Sequence, residues 1–251
     1  MKGKDEFHKQ ARFFHLGEEY FWLSGQNTLV ERQLKPCLEA VARKAAPGAI
    51  RILDLGCGPG NTLTRFSRYG NVYGLDSSPH ALSFTRSRGV KRIFSGECTA
   101  IPIASASFDC VLALDVLEHI ADDESAMREI ARVLRPGGLF FFTVPAFMSL
   151  WRYHDVMYGH HRRYTKAEFT EKVMRAGLEI SSCHFFKCIF FPPLWVLAKL
   201  ERLWLIPRRD NFYATPGWLN RLMEALIVWE CESGFARHIP FGVSLLCFGH
   251  R

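Results

Sequence analysis

A glycine-rich loop with an acidic residue at its start follows the first predicted strand. Asp54 ends that strand, and Gly56, Gly58 and Gly60 follow at alternate positions. Glycine lets the backbone turn sharply and lets a ligand approach without meeting a side chain. Pro59 stands where a pyrophosphate site would want a free N–H, and the leading carboxylate suits a cation. The loop therefore predicts a ligand with an ammonium group rather than a phosphate.

A second acidic residue stands at the distance that a nucleoside site requires. Asp76 comes 22 residues after Asp54, at the end of the next apolar run. A carboxylate there can accept hydrogen bonds from both hydroxyls of a ribose. The two acids and the glycine loop predict a site for an adenosyl group that carries an amino acid. A nicotinamide dinucleotide, with the spacing G-x-G-x-x-G, is a distant alternative to the D-x-G-x-G-x-G found here.

The elements around these motifs predict a parallel α/β sheet. Short apolar runs alternate with helical patterns, and strands that are apolar on both faces indicate a sheet covered by helices. Strands are predicted at 51–55, 71–75, 92–95, 108–114, 139–144, 178–185 and 244–248, and helices at 62–69, 79–87, 123–134 and 165–176.

Two predicted helical regions lie outside this alternation. The first contains a helix near 26–45, which Pro36 should break or bend. The second separates the last two strands by about 55 residues, which is too long for a hairpin loop. The predicted organisation is an N-terminal helical cap (1–48), a core (49–187 and 242–251) and a helical insert (188–241).

The succession of motifs resembles the class I S-adenosylmethionine-dependent methyltransferases, specifically the methyltransferase type 11 group. The resemblance covers about residues 45–185 through DLGCGPG, GLDSSP, SGECTAIPIASASFDCV, ALDVLEHI and REIARVLRPGGLFFFTVP. It implies a Rossmann-like, doubly wound, mostly parallel seven-stranded sheet whose last strand is antiparallel. It also implies S-adenosylmethionine as cofactor and S-adenosylhomocysteine as product. No metal is expected, because Asp122 and Asp123 are better explained as helix-capping acids.

The resemblance implies a place along the cofactor for several residues. Asp54 and the glycine loop would line its methionine end, and Asp76 would hold the ribose. Glu97 and Cys98 match an acidic-then-small pair that contacts adenine, although the acid is usually aspartate. The predicted cofactor-binding residues are Tyr20, Trp22, Asp54, Gly56, Cys57, Gly58, Gly60, Asn61, Asp76, Ser77, Glu97, Cys98, Leu114, Asp115 and His119.

Two of these assignments have structural alternatives. Tyr20 and Trp22 resemble an aromatic N-terminal segment that folds over the cofactor, but simple helix packing would also bury them. Glu118 and His119 follow the fourth strand, near the expected position of the transferred methyl. We favour the interpretation that this pair shapes the start of a helix and its cofactor contacts.

A histidine-rich segment follows the fifth predicted strand, at the edge where open α/β sheets bind ligands. Methyl transfer to a hydroxyl needs a general base, most simply a histidine with a pKa near the working pH. The predicted base is His160 or His161, with His154 third. Arg163, Tyr158 and Tyr164 are predicted to bind the substrate, and the alternative is a structural loop.

The net charge, the cysteines and the apolar runs indicate where the protein is located and what it could contact. The net charge is +7, mostly from residues 151–251, and none of the eight cysteines forms a CxxC pair. No apolar run approaches the roughly 20 residues that span a bilayer, and the N-terminus has no apolar core like that of a secretory signal. We predict free thiols and a cytoplasmic protein, with peripheral contact at the inner membrane face as an option.

The insert combines tryptophans with a basic flank. Trp195 and Trp204 precede Arg208 and Arg209. Such a stretch can lie on a membrane interface. Aromatic residues at helical spacing more often pack, here over the acceptor pocket or in a homodimer through residues 188–231.

The combined prediction is methyl transfer to a small-molecule or lipid-like acceptor, most simply at oxygen. A nucleic-acid target is less favoured, because the fourth strand is not followed by the proline-containing tetrapeptide of base-methylating enzymes. An RNA or protein methyltransferase and a non-catalytic S-adenosylmethionine-binding scaffold remain alternatives.

Overall fold

A computed structural model describes residues 20–42, 50–208 and 215–251. The strands are β1 (Arg51–Leu55), β2 (Asn71–Asp76), β3 (Ile93–Ser95), β4 (Phe108–Leu114), β5 (Leu134–Pro145), β6 (Glu179–Phe186) and β7 (Ser244–His250). The α-helices are α1 (Phe21–Ala42), α2 (Asn61–Phe66), α3 (Pro79–Ser87), α4 (Asp123–Val133), α5 (Tyr153–Met157), α6 (Lys166–Arg175), α7 (Phe191–Arg202), α8 (Gly217–Glu232) and α9 (Phe235–His238). Single 3₁₀ turns lie at Ser67–Tyr69, Leu117–His119 and Met148–Leu150.

The seven strands form one sheet in the order β3-β2-β1-β4-β5-β7-β6. The pairs β1–β2, β1–β4, β2–β3 and β4–β5 are parallel. Strand β7 is antiparallel to both of its neighbours, β5 and β6. The predicted Rossmann-like, mostly parallel sheet with an antiparallel last strand is therefore confirmed.

The sheet brings the predicted cofactor motifs to one edge. Strand order reverses between β1 and β4, and open α/β sheets bind ligands at such a reversal, beyond the carboxyl ends of the strands. Leu55 pairs with Leu75 on one side and with Ala113 on the other. The loops after β1, β2 and β4 therefore start at the same level.

The strands have continuous apolar sequences because both faces of the sheet are buried. Phe140, Phe141 and Phe142 are all fully buried, although successive strand residues point to opposite faces of the sheet. Both faces of β5 are thus covered.

Helix α1 continues through Pro36, so of the predicted break or bend the structure excludes the break. Proline inside a helix costs about 3 kcal/mol or more. Leu29, Val30, Leu34 and Leu38 on the same helix are all buried, and each buried side chain contributes about 1.5–3 kcal/mol. The free energy gained by burying side chains before and after Pro36 exceeds the cost of a proline inside the helix.

The N-terminal helix and the insert pack against each other. Ser24 Oγ and Thr28 Oγ1, on α1, donate to the Glu224 carboxylate on α8 at 3.0 and 2.9 Å. Cap and insert therefore form one helical layer beside the sheet, a contact that the sequence analysis does not predict. Within the described ranges, no helix has both the length and the hydropathy to cross a bilayer.

Candidate active site

The glycine loop after β1 has a backbone that only glycine adopts easily. Gly56 has φ +62°, and a Cβ added there would lie 2.6 Å from the Val116 side chain. Gly60 has φ +81°, and its added Cβ would lie 2.7 Å from Thr85. Both positions combine a left-handed backbone with close packing. The loop is therefore held open as a cradle above the switch point.

Asp54 lies at the base of this cradle, and its buried carboxylate has an unsatisfied hydrogen-bond acceptor. Its Oδ2 atom has no hydrogen-bond partner. Burial, with the nearby Asp76 charge, raises the pKa of Asp54 well above its usual range. A buried polar atom without a partner is costly and calls for a ligand or a water. An ammonium group such as that of S-adenosylmethionine would meet this need, so the residues present fit the implied cofactor.

The Asp76 carboxylate is fixed in place at the end of β2. It accepts the Gly58 N–H and the Ser78 N–H, each at 2.8 Å. Each carboxylate oxygen has more than one lone pair, so both can still accept a ribose hydroxyl. Ser77 is exposed beside it, and the Asn61 side chain accepts a hydrogen bond from Arg88.

The predicted adenine-side residues follow β3. Glu97 is exposed and Cys98 is half-buried. Burial, followed by the charges of Asp76 and Glu97, raises the pKa of Cys98 to about 12. Burial also raises the pKa of Cys57. Both thiols are therefore neutral and offer contact surface rather than a nucleophile.

A buried polar chain runs from the end of β4 to the N-terminal helix. Gln26 Nε2 donates to Asp115 Oδ2 at 2.9 Å and to Thr143 Oγ1 at 3.0 Å. Lys187 Nζ donates to Gln26 Oε1 at 2.7 Å. Lys187 is fully buried, and burial lowers its pKa to about 8. Gln26 and Lys187 could not be predicted from the sequence, because nothing local marks residues that meet only in the folded chain.

The same lysine supports the predicted aromatic lid. Lys187 Nζ lies 4.1 Å from the centre of the Trp22 ring, which is a cation–π contact. Tyr20 and Trp22 both line one cavity of the described structure. Their side chains thus line the cavity and also pack in the core, Trp22 on Phe190 and Tyr20 on Phe21.

That cavity has a volume of about 210 Å³ and lies beside the end of β4. Its walls combine aromatic and aliphatic side chains with a group of buried polar ones. The glycine loop is not among its walls, but four of the predicted cofactor-binding residues are: Tyr20, Trp22, Asp115 and His119. The lining residues are Tyr20, Trp22, Leu23, Asp115, Glu118, His119, Pro145, Leu150, Arg152, His154, Tyr158, His160, Arg163, Leu194, Val243 and Ser244.

Asp155 orients His160 in this cavity. The Asp155 carboxylate is fully buried, and its Oδ1 lies 2.8 Å from His160 Nδ1. It also accepts two hydrogen bonds from Arg163, at 2.7 and 3.1 Å. Burial alone would raise the pKa of Asp155, but the bonds from His160 and Arg163 lower it to about 2. With Nδ1 held by this ionised carboxylate, Nε2 of His160 faces the Glu118 carboxylate, 4.0 Å away.

Several predicted acceptor residues occupy other places. Tyr164 is fully buried and its hydroxyl donates to Asp123 Oδ2 at 2.8 Å, so its prediction as a substrate contact is wrong. A hydroxyl with a buried carboxylate partner packs in the core rather than facing a ligand. His161 is exposed and lies outside the cavity walls. Arg163 does line the cavity, but its guanidinium is engaged by Asp155.

The remaining predicted residues do reach the cavity. His154 and Tyr158 both line it, with their ring centres 4.4 Å apart. Glu118 and His119 line it as well, beyond the structural role that the sequence analysis favoured. Glu118 is buried and neither of its carboxylate oxygens has a hydrogen-bond partner. Burial, followed by the Asp115 charge, raises the pKa of Glu118 well above its usual range.

The insert contributes a buried ion pair to the wall of the cavity. Arg152 Nε donates to Glu201 Oε1 at 3.1 Å, and both side chains are almost wholly buried. Glu201 lies on α7, so this bond ties the insert to the segment after β5. The pair could not be predicted from the sequence, since the two residues lie 49 positions apart.

Comparison with known proteins decides the family. A family model described as "Methyltransferase domain" matches residues 53–142. The chain is 31% identical over 225 residues to malonyl-[acyl-carrier protein] O-methyltransferase from Enterobacter lignolyticus, covering 85% of this chain and 89% of that protein. The chain belongs to the S-adenosylmethionine-dependent methyltransferases.

Three further proteins show what else the chain is similar to. A probable S-adenosylmethionine-dependent methyltransferase from Mycolicibacterium smegmatis is 28% identical over 169 residues, covering 66% of this chain and 62% of that protein. A 37.1 kDa protein from Streptomyces fradiae is 36% identical over 146 residues, covering 55% of this chain and 41% of its own length. A solved methyltransferase from Thermotoga maritima, described as a possible histamine N-methyltransferase, covers 97% of this chain and 95% of its own with a TM-score of 0.56. At 16% identity it shows the shared fold alone.

Proposed function

We propose that this methyltransferase transfers the methyl group of S-adenosylmethionine to a hydroxyl oxygen of a small-molecule or lipid-like acceptor. The observation that carries the proposal is the Asp155–His160 pair, which presents Nε2 to a cavity beside the cofactor cradle. The bound cofactor would supply the methyl on a positively charged sulfur, so the protein's work is to align and deprotonate the acceptor.

His160 is the group proposed to take the acceptor's proton. A carboxylate on Nδ1 fixes the tautomer that keeps a proton there and leaves the Nε2 lone pair free. S-adenosylmethionine held at Asp54 and Asp76 would supply the methyl, and its sulfur would keep the electron pair of the sulfur–methyl bond. A methyl–oxygen bond forms, and the hydroxyl proton passes to Nε2. His154 and Tyr158, on the cavity wall, are positioned to contact the acceptor.

The cavity walls and one relative support the same conclusion. Trp22, Leu150 and Leu194 supply apolar surface that would exclude water and suit a hydrophobic acceptor. The Enterobacter relative is named as an O-methyltransferase, although at 31% identity. Asp54 at the methionine end and Asp76 at the ribose complete the proposed cofactor contacts.

Incubation with methyl-labelled S-adenosylmethionine and a metabolite extract tests the proposal. We expect the label in a small or lipid product as a methyl ether. Label in RNA or protein would support the macromolecular alternative instead. Tight cofactor binding without product from any extract, from a protein that keeps its native melting temperature, would support the scaffold alternative.

We also propose that the insert places this acceptor site on an anionic membrane surface. Leu203, Trp204 and Leu205, just after α7, are exposed, and the Trp204 side chain is 74% exposed. The Arg208 guanidinium lies 3.8 Å from the Trp204 ring centre, and Lys199 Nζ lies 5.3 Å from that of Trp195. An exposed apolar surface with adjacent cations suits the boundary between lipid tails and anionic headgroups.

The position of Glu201 supports the proposal that the exposed side of α7 faces the membrane. Glu201 is the one carboxylate in residues 191–208, and it is buried against Arg152. The exposed side of α7 and the turn after it thus carries cations without acids. Leu194, on the same helix, lines the cavity. A lipid-like acceptor at the membrane would therefore have a short path to the site.

Sedimentation with liposomes tests the membrane surface. We expect binding to vesicles that contain phosphatidylglycerol, weaker binding to phosphatidylcholine alone, and weakening by salt. The double variant Trp204→Ser/Leu205→Ser should bind at least about tenfold more weakly, because each apolar side chain contributes of order 1 kcal/mol or more. Met174→Ser, which changes an exposed residue on α6, is the control. Equal binding by both variants, or a dimer that only the double variant loses, would contradict the membrane proposal.

A further inference from the structure

Three side chains in the cavity turn metal-binding atoms toward one another. Glu118, His119 and His160 each offer one ligand atom, and these atoms lie within 4.8 Å of one another. A zinc-class ion with bonds of about 2.0–2.2 Å needs ligand atoms a little over 3 Å apart. Small side-chain rotations would close the remaining gap, and the ring centres of the two histidines are already 4.6 Å apart.

Glu118 supplies an independent reason to expect a ligand. Its side chain is 1% exposed, and neither carboxylate oxygen has a hydrogen-bond partner. Buried carboxylates without partners are rare and need an explanation such as an unseen water or ion. Because Glu118 lines the cavity, a ligand that enters the cavity can reach it.

His160 has the support that metal-binding histidines usually have. A ligating histidine almost always donates its other ring N–H to a carboxylate or carbonyl, which fixes the ring and the tautomer. Asp155 Oδ1 takes that position at 2.8 Å from Nδ1, so Nε2 is the atom presented to Glu118. His119 is exposed at the cavity, which gives an ion a route of entry.

We propose that Glu118, His119 and His160 bind a divalent transition-metal ion of the zinc class, and that this ion inhibits methyl transfer. The inhibitory half rests on the proposed function, because the ion would occupy the Nε2 lone pair that takes the acceptor's proton. Two imidazoles and one carboxylate favour zinc and its neighbours over magnesium or calcium, which prefer oxygen ligands.

An inhibitory ion is consistent with the chemistry of the family. Methyl transfer in this family requires no metal. A three-ligand site also leaves at least one coordination position open, where water or the acceptor hydroxyl would sit. The ion would therefore compete with the acceptor hydroxyl for this part of the cavity, at a distance from the glycine loop and Asp54.

Titration of the metal-free protein with Co²⁺ and with Zn²⁺ tests the site without any methyl transfer. We expect one Co²⁺ per chain with visible absorption bands of a four- or five-coordinate site, displaced by Zn²⁺. Glu118→Gln and His119→Asn should each weaken binding by at least about tenfold, because the loss of even a hydrogen-bond partner of a ligand costs about 10–100-fold. His161→Asn, which changes an exposed histidine outside the cavity, should bind as the unaltered chain does. Equal affinity in all four proteins would overturn the site.

Melting temperatures show whether the variants are folded and whether they still bind Zn²⁺. Glu118→Gln removes a carboxylate that has no hydrogen-bond partner to lose, so the metal-free variant should melt at or above the temperature of the unaltered chain. Zn²⁺ should raise the melting temperature of the unaltered chain and of His161→Asn, but not of Glu118→Gln. A similar Zn²⁺ shift in Glu118→Gln would contradict the assignment of Glu118 as a ligand.

The methyl-transfer assay then tests the inhibition. Zn²⁺ should lower the rate, a chelator should restore it, and more acceptor but not more S-adenosylmethionine should relieve it. Loss of activity on chelation would make the ion an activator and overturn the inhibitory half. If no acceptor is methylated at all, the proposed function fails, while the Co²⁺ titration still decides whether the metal site exists.

Discussion

Replacement of His160 by asparagine should lower the turnover number by about 10²–10⁴-fold, the usual contribution of a positioned general base. The asparagine side chain can still donate a hydrogen bond toward Asp155, so the Asp155–Arg163 ion pair keeps a neighbour. It has no lone pair of comparable basicity to take the hydroxyl proton. Cofactor affinity should change little, because His160 lies in the acceptor cavity and not among the residues around Asp54.

The matched control for this experiment is the next residue in the chain. His161→Asn makes the same chemical change one position along, but His161 is exposed and outside the cavity walls. Steady-state rates measured in the presence of a chelator, together with calorimetric binding of S-adenosylhomocysteine, separate chemistry from binding. Turnover within about twofold of normal in His160→Asn would rule out His160 as the base and turn attention to His154.

Replacement of Asp54 by asparagine should weaken the binding of S-adenosylmethionine by roughly 10–150-fold. A hydrogen bond to a charged group contributes about 1.5–3 kcal/mol, and each 1.4 kcal/mol is a factor of ten in affinity. The carboxylate oxygen that lacks a partner, Oδ2, is the atom proposed to receive the ammonium group. The amide keeps the shape of the side chain but removes its charge.

Although Asp54→Asn should bind the cofactor more weakly, the ligand-free variant should be more stable than the unaltered chain. Because the folded state holds the pKa of Asp54 above its unfolded value of 3.8, ionisation of this carboxyl destabilises the folded protein as the pH rises above that value. At neutral pH without ligand, Asp54→Asn should therefore melt at a higher temperature than the unaltered chain. A functional site often carries such a cost to stability.

Calorimetry and thermal melting check both halves of this prediction. Glu171→Gln, which changes an exposed acid on α6, should alter neither cofactor affinity nor melting temperature by much. An Asp54→Asn protein that binds the cofactor normally would contradict the assignment of Asp54 to the ammonium group. A lower melting temperature of the ligand-free variant would show that Asp54 has stabilising partners beyond those described.

The fold could be predicted because its signals are local. Each strand and each helix depends on residues within a short window, as Thr165 shows by capping α6 through the Glu168 N–H at 3.2 Å. Gly56 and Gly60 suit the loop because each combines a positive φ angle with a neighbouring side chain that an added Cβ would strike. The break predicted at Pro36 failed because the buried face of α1, a property of the packed structure, outweighed the local preference.

The acceptor side of the site could be predicted only in outline. The sequence pattern indicated histidines after β5 but did not distinguish His160 from His161. The choice depends on the turn that follows α5, where the His160 N–H donates to the Asp155 carbonyl at 2.9 Å and the His161 N–H donates to the Glu118 carbonyl at 2.8 Å. Such bonds place one ring in the cavity and the other in solvent.

By itself, the sequence determined the sheet, the cofactor family and the acidic residues around the glycine loop, because short-range spacing specifies strand ends and the turns between them. The tertiary structure decided what surrounds the acceptor cavity. Gln26 and Lys187 meet across 161 residues, and Arg152 meets Glu201 across 49. Such pairs leave no periodic pattern in the chain, since each partner satisfies a buried polar group that exists only after the helices have packed on the sheet.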